Sequence, residues 1–380
     1  MADRREHFYH YELDILRFGA FFMVYLGHAL PTNAETYLRS RLTRAIASPL
    51  AGMANAGTFG VDLFFALSAY LITELLLREY RKRGTVAIRD FYVRRILRIW
   101  PLYLFVLLLL RPVLNRISPD VEQLGGKYLL GFLLFSGNWV CAFLGWPHTH
   151  LALLWSVSIE EQFYLSWPLV VKHLERYLGP ICGGLIVVAF VMRAVLVLHN
   201  APYWSMWCNT LARLDPIAGG ALLAVVLRGK SLSLPKALRL ALAAGGLFFI
   251  FLAGWKGNAV GLPALWTFPL VALGCVMTIL GVLQPSEAQR SYGRVAGAFV
   301  YLGRISYGLY VYHGVALYYA TTATSSWSIR ILGMLGSMAL TLLAAAASYQ
   351  FLELPFLRLK RRFSYVLSAP DAADAVPVLK

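Results

Sequence analysis

Among the ionisable side chains in or beside apolar runs of this 380-residue sequence, ten stand out: Asp14, Arg17, His28, Asp62, Glu160, Glu161, Arg193, Asp215, His313 and Glu353. An ionisable group held in hydrocarbon costs at least about 2.5–3.5 kcal/mol on insertion scales, so each is a functional candidate. Arg17 and His28 are eleven residues apart. That spacing puts them within about 20° of one helical face and separates them by roughly 16 Å along the axis. His28, Asp62, Glu160 and His313 fall in four different runs, at depths that let two imidazoles and two carboxylates meet in the outer half of a bundle. An imidazole whose tautomer is fixed by a carboxylate is the usual general-base pair. Plain ion pairing between helices is the competing reading, and Arg193 with Asp215 reads as such a structural pair.

A second constellation is cationic. In Arg94-Arg95-Ile96-Leu97-Arg98, Arg95 and Arg98 stand i,i+3 and Arg94 and Arg98 i,i+4. Like charges on one helix face repel unless a polyanion joins them, and guanidinium forks suit phosphates. Positive-inside anchoring explains Lys82 or Arg83 but does not require two arginines on one face. The order is thus a phosphate-binding mouth, then Arg17, then a base cluster farther out. It suits a long anionic donor whose head stays at one surface while its arm reaches into the bundle, which is the shape of coenzyme A.

The elements that must hold these groups are membrane helices. Apolar and aromatic residues make up 59% of the chain and charged residues 14%, against roughly 45–50% and about 25% in soluble domains; mean hydropathy is +0.61. A soluble fold of this length cannot cover that much apolar surface. Runs of about 20 apolar residues predict spans at 13–31, 57–77, 97–114, 151–171, 180–198, 209–227, 238–256, 262–283, 298–320 and 330–352. The first carries Asp14, Arg17 and His28 and no cleavage motif, so it reads as a retained helix. The basic cluster Arg78–Arg98 is expected on the cytoplasmic side, with both termini there as well. The other basic clusters follow if 128–146 is re-entrant or superficial. The expected fold class is an all-α integral membrane protein of about ten helices, with a membrane domain over 1–363 and a short disordered tail over 364–380.

The net charge of +16 reads as topology and contact with anionic lipid, not as nucleic-acid binding, because no basic and aromatic surface appears outside the spans. Cys141, Cys182, Cys208 and Cys275 lack metal or redox spacing and are expected to be buried thiols. His148 and His150 form a His-x-His pair without a third ligand, so no metal is expected.

Six motifs in order resemble the acyltransferase 3 family of integral membrane O-acyltransferases, whose members modify O-antigen, peptidoglycan, nodulation factors and macrolides. They are Asp14-Ile15-Leu16-Arg17 followed by His28; Phe59-Gly60-Val61-Asp62 through Ser68-Ala69-Tyr70; Arg95-x-x-Arg98; Leu154-Trp155-Ser156 through Glu160-Glu161-Gln162-Phe163-Tyr164; Ile305-Ser306-Tyr307-Gly308 through His313; and Glu353-Leu354-Pro355. The resemblance runs from about Tyr11 to Phe356. Ile15 and Ala69 stand where the family usually has Gly, and both substitutions are expected to change pocket width.

The resemblance implies a multi-pass protein of a bacterial cytoplasmic membrane. An acyl group, most simply acetyl from acetyl-CoA, would pass from the cytosolic donor to a hydroxyl of a glycan, lipid-linked saccharide or small-molecule acceptor. His28 is then the catalytic base, with Glu160 or Asp62 to orient it; an acyl-histidine relay is the variant. Arg17, Arg95 and Arg98, with Asp14, are donor-side residues, and His313, Tyr307 and Ser306 are assigned to the acceptor. Expected partners are membrane lipids, the acyl-CoA and the acceptor. The rival class is a proton-coupled transporter or flippase using the same Asp, Glu and His groups as a relay. That rival does not predict the paired-arginine mouth.

Overall fold

The computed structural model describes residues 6–40, 42–117, 124–230, 233–255, 260–284, 293–320, 327–363 and 366–367. The first part of the chain forms α1 (Tyr11–Ala29), α2 (Ala34–Leu38), α3 (Arg44–Gly57), α4 (Gly60–Arg83), α5 (Ile88–Leu104) and α6 (Arg111–Ile117). The middle forms α7 (Gly126–Leu133), α8 (Gly137–Leu144), α9 (Trp155–Leu174), α10 (Leu178–Leu198), α11 (Tyr203–Trp207) and α12 (Leu214–Leu227). The last part forms α13 (Lys236–Gly254), α14 (Ala264–Val282), α15 (Arg294–Arg304), α16 (Ser306–Ala320), α17 (Trp327–Ser348) and α18 (Leu354–Lys360). Among the described residues the only strand pairing is parallel, between β1 (Glu6–His7) and β2 (Val366–Leu367). It draws residues 6–7 and 366–367 together beside the basic end of α4 and α5, where the Arg78 guanidinium lies over the Phe8 ring and Arg94 donates to the Phe363 carbonyl. Apart from β2, the expected tail 364–380 lies outside the described residues.

A helix occupies each position where an apolar run predicts one. Among the described residues six helical stretches are long and apolar enough to cross a membrane: Arg44–Arg83, Ile88–Ile117, Ala152–Leu198, Lys236–Gly254, Ala264–Val282 and Trp327–Phe363. α1 is 19 residues long but carries Glu12, Asp14 and Arg17 in its first two turns, and α12 has 14 residues. The run 298–320 is not one helix. It breaks at Ile305 between α15 and α16, where Gly303 packs on the Asp14 backbone so closely that a Cβ would collide with it. The segment 128–146 is likewise two eight-residue helices, α7 and α8, each about 12 Å long. Phe135 between them has φ 51°. No single span is possible there.

Local sequence explains the ends and irregularities. α4 closes on Gly84, left-handed at φ 69°, with Arg81, Lys82 and Arg83 over its terminal carbonyls. Pro101 inside α5 has no N–H to give, and the next turn widens into a π segment, Phe105–Leu110. A second π segment, Tyr349–Glu353, delivers the chain to α18. α4 is the central element, packed against α1, α9, α12 and α14. Gly220 of α12 meets the Ala66 backbone of α4 with no room for a side chain, the small-residue contact that lets membrane helices approach. All four cysteines are buried thiols, as their spacing led us to expect.

Candidate functional site

α4 presents one helical stripe, Val61, Phe64, Phe65, Ser68, Leu71, Ile72 and Leu75, to an internal chamber. From Val61 to Leu75 that stripe rises about 21 Å. The opposite walls come from Asp14 and Arg17 of α1, Arg95 and Arg98 of α5, Glu160 and Tyr164 of α9, Tyr307 and Tyr310 of α16, and Lys360 of α18. Phe8, Tyr9 and His10, which follow β1, close the end nearest the chain termini. The space a water-sized sphere can reach inside is about 140 Å3.

Positive charge dominates the lining, with Arg17, Arg95, Arg98 and Lys360 set against Asp14 and Glu160. Asp14 is already engaged: Arg17 Nη1 donates to it at 2.9 Å and the Tyr9 hydroxyl at 2.9 Å. Burial, with the Asp14 carboxylate beside it, pushes the Tyr9 phenol well above the ordinary tyrosine range, so it stays a donor. Glu160 accepts from Ser68 at 2.9 Å and from Tyr164 at 3.1 Å. Among the described residues neither Arg95 nor Arg98 forms a salt bridge. Arg95 is held by the faces of Phe91 and Tyr164, and its Nε is buried with no hydrogen-bond partner. Arg94, first in the run, turns away to Phe363 and to Glu79 at 3.5 Å. Two guanidinium groups facing the chamber without a salt bridge are able to take phosphate oxygens.

The chamber stops at Tyr310 and Ser156. The Tyr310 hydroxyl lies 2.7 Å from Ser156 Oγ and 2.8 Å from the Leu153 carbonyl. Beyond that wall stand the two histidines: His28 Nδ1 is 3.1 Å from His313 Nε2, and His313 Nδ1 is 2.5 Å from the Tyr310 carbonyl. His313 is fully buried, with the Phe21 and Tyr310 rings against it, whereas His28 is exposed. Tyr310 therefore both lines the chamber and touches the histidine pair.

Of the four groups expected to meet, the structure brings together the two histidines and leaves the carboxylates elsewhere. Asp62 is bound to Arg213 at 2.7 Å and Glu160 to Ser68 and Tyr164, so neither is hydrogen-bonded to His28. Arg193 and Asp215 pair at 2.6 Å, as expected of a structural pair. Ser306 and Tyr307 face the chamber with the donor-side arginines, and Tyr307 donates to the Ile99 carbonyl at 3.1 Å. Ile15 and Ala69 do not line the chamber, so the expected change in its width does not arise from them. Sequence reasoning missed Lys360, Ser68, Tyr164 and Tyr310. Tyr164 at i+4 from Glu160 and Tyr310 at i−3 from His313 were accessible by helical spacing; Ser68 and Lys360 arrive from distant segments and left no local signal.

The family described as "Acyltransferase domain" matches residues 10–350, and the chain belongs to this acyltransferase 3 family. It is similar to the protein named "Putative O-acetyltransferase SACOL0978" of Staphylococcus aureus (strain COL), at 26% identity over 80% of this chain and 53% of that protein. It is also similar to the O-acetyltransferase OatA of Staphylococcus aureus (strain NCTC 8325 / PS 47), at 26% identity over 79% of this chain and 53% of that protein. The chain thus spans about half the length of these curated relatives. No solved structure matches it.

Proposed function

We propose that the protein is a membrane O-acyltransferase that draws on acyl-CoA, with acetyl as the simplest group, from the side on which its basic cluster and termini lie. The observation that carries this reading is the chamber in which Arg95 and Arg98 stand without a salt bridge, one residue layer from a histidine pair. Arg95, Arg98 and Lys360 hold the donor's phosphates. Arg17, braced by Asp14, lines the way inward. The α4 stripe, apolar except for Ser68, accepts the uncharged arm. His28, reachable from outside the chamber, takes the proton of an acceptor hydroxyl as general base. The new bond joins the acceptor oxygen to the acyl carbon, the carbon–sulfur bond breaks, and the thiol leaves with the proton. The names of the relatives, O-acetyltransferases, support a hydroxyl as the acceptor, and a sugar hydroxyl of a glycan or lipid-linked saccharide is the class assigned here from the motif resemblance. The positive-inside rule, with the termini beside Arg78–Arg98, supports a bacterial cytoplasmic membrane with both ends in the cytosol.

The test is transfer of label from [acetyl-14C]acetyl-CoA into acceptors of the membranes that contain the protein. The expected result is incorporation lost by His28→Ala to about 10²-fold or more, with acetyl-CoA binding retained. Equal incorporation by wild type and His28→Ala would contradict the assignment, and solute movement with no covalent product would favour a carrier.

A further inference from the structure

The histidine pair has a direction. A backbone carbonyl can only accept, so the contact between His313 Nδ1 and the Tyr310 carbonyl puts a proton on Nδ1 of His313. A neutral imidazole has one N–H, which leaves His313 Nε2 a bare acceptor facing His28 Nδ1 at 3.1 Å. That contact is a hydrogen bond only if His28 brings the proton on Nδ1. The remaining nitrogen of His28, Nε2, then carries a lone pair on an exposed ring. Neither ring has a carboxylate within salt-bridge distance among the described residues, so neutral rings are the forms to read.

We propose that His313 is a positioning residue: passing the constraint of the Tyr310 carbonyl along, it fixes His28 in the Nδ1-protonated tautomer and leaves Nε2 as the base. This deepens the acyltransferase reading and rests on it only for the consequence in turnover. When Nε2 of His28 accepts the hydroxyl proton, the ring becomes a cation with N–H at both nitrogens. Its bond to His313 Nε2 then becomes charge-assisted and strengthens as charge develops. The arrangement has the logic of a base held by a second group behind it. Here the second group is a neutral histidine anchored on main chain, where the sequence suggested a carboxylate. His313 was assigned above to the acceptor; its ring is fully buried, with both nitrogens already used, which suits the positioning role better.

Two amides separate this role from packing. Gln at 313 can place its carbonyl oxygen where Nε2 stands and accept from His28. Asn reaches only the Nδ1 position and leaves His28 without an acceptor. In the full chain, His313→Asn is expected to lower the turnover number with acetyl-CoA by about 10²–10³-fold, at unchanged KM for acetyl-CoA, and His313→Gln to recover most of it. Equal loss in both variants, or no loss in either, overturns the proposal. A second reading needs no turnover and no stable variant: the nitrogen-15 spectrum of the histidine-labelled wild type in lipid, with the His28 signals assigned by their loss in His28→Ala. His28 protonated at Nδ1 and bare at Nε2 is expected; the opposite tautomer overturns the proposal. If that tautomer is found but the wild type transfers no acetyl group, it is the acyltransferase reading that fails.

Discussion

The interior holds two sets of arginines and carboxylates with opposite fates. In the quartet formed by Asp62 with Arg213 and Asp215 with Arg193, all four side chains are sealed: Arg193 is 0% exposed and Arg213 1%. The Arg213 guanidinium is packed over the Trp207 and Phe268 rings. In the chamber, Arg95 and Arg98 are only partly buried, face an open space and lack carboxylate partners. Residue type does not distinguish the two sets; access and pairing do. A buried ion paired with an opposite charge holds helices together, and one left without a countercharge beside a cavity is available to a ligand.

The largest effect that sharpens this contrast is on folding. Asp62→Ala leaves Arg213 charged and buried without its partner, which costs about 3–5 kcal/mol. That is a large share of a typical total stability of about 5–15 kcal/mol. The expected readout is a steep loss of folded yield and of melting temperature in detergent. Arg98→Ala, which breaks no salt bridge, is expected to leave both nearly unchanged, and similar losses in the two variants would erase the distinction. Next in size is donor binding. Arg95→Ala combined with Arg98→Ala removes two charge-assisted contacts, each worth about 1.5–3 kcal/mol, so acetyl-CoA affinity measured by titration calorimetry should fall about 10²-fold or more. Unchanged affinity would remove the chamber from the account. The smallest effect belongs to replacing a whole pair: Arg193→Met with Asp215→Leu removes both charges at similar volume. It should shift stability by no more than about 1–2 kcal/mol in thermal unfolding, because no ion is stranded.

Much of this was legible in the sequence because helices write their faces locally. The Arg95–Arg98 face follows from spacing within one helix and lines the chamber, whereas of the Arg17–His28 stripe only Arg17 lines it. What spacing cannot supply is the partner across the bundle. Asp62 meets Arg213 across a separation of 151 residues, and Arg213 sits at the start of α12, where it reads as an ordinary span-end cation. Glu160 was expected beside His28, but Ser68 and Tyr164 satisfy it in the chamber. The break at Ile305 was hidden because 298–320, despite Arg304 and His313, reads as one apolar run; it stands where Gly303 meets the α1 backbone. Lys360 reaches the chamber because the π segment after α17 redirects the chain toward α5.

The central claim is that a donor anchored at Arg95 and Arg98 extends its acyl end to the His28–His313 pair. A structure of the full chain bound to a thioether analogue of acetyl-CoA, determined by electron cryomicroscopy in lipid, tests it most directly. The account predicts phosphates within hydrogen-bond distance of both arginines, the arm passing Ser68 along α4, and the sulfur at the Tyr310 wall beside the histidines. Phosphates seated away from Arg95 and Arg98, or an arm directed away from Tyr310, would contradict it.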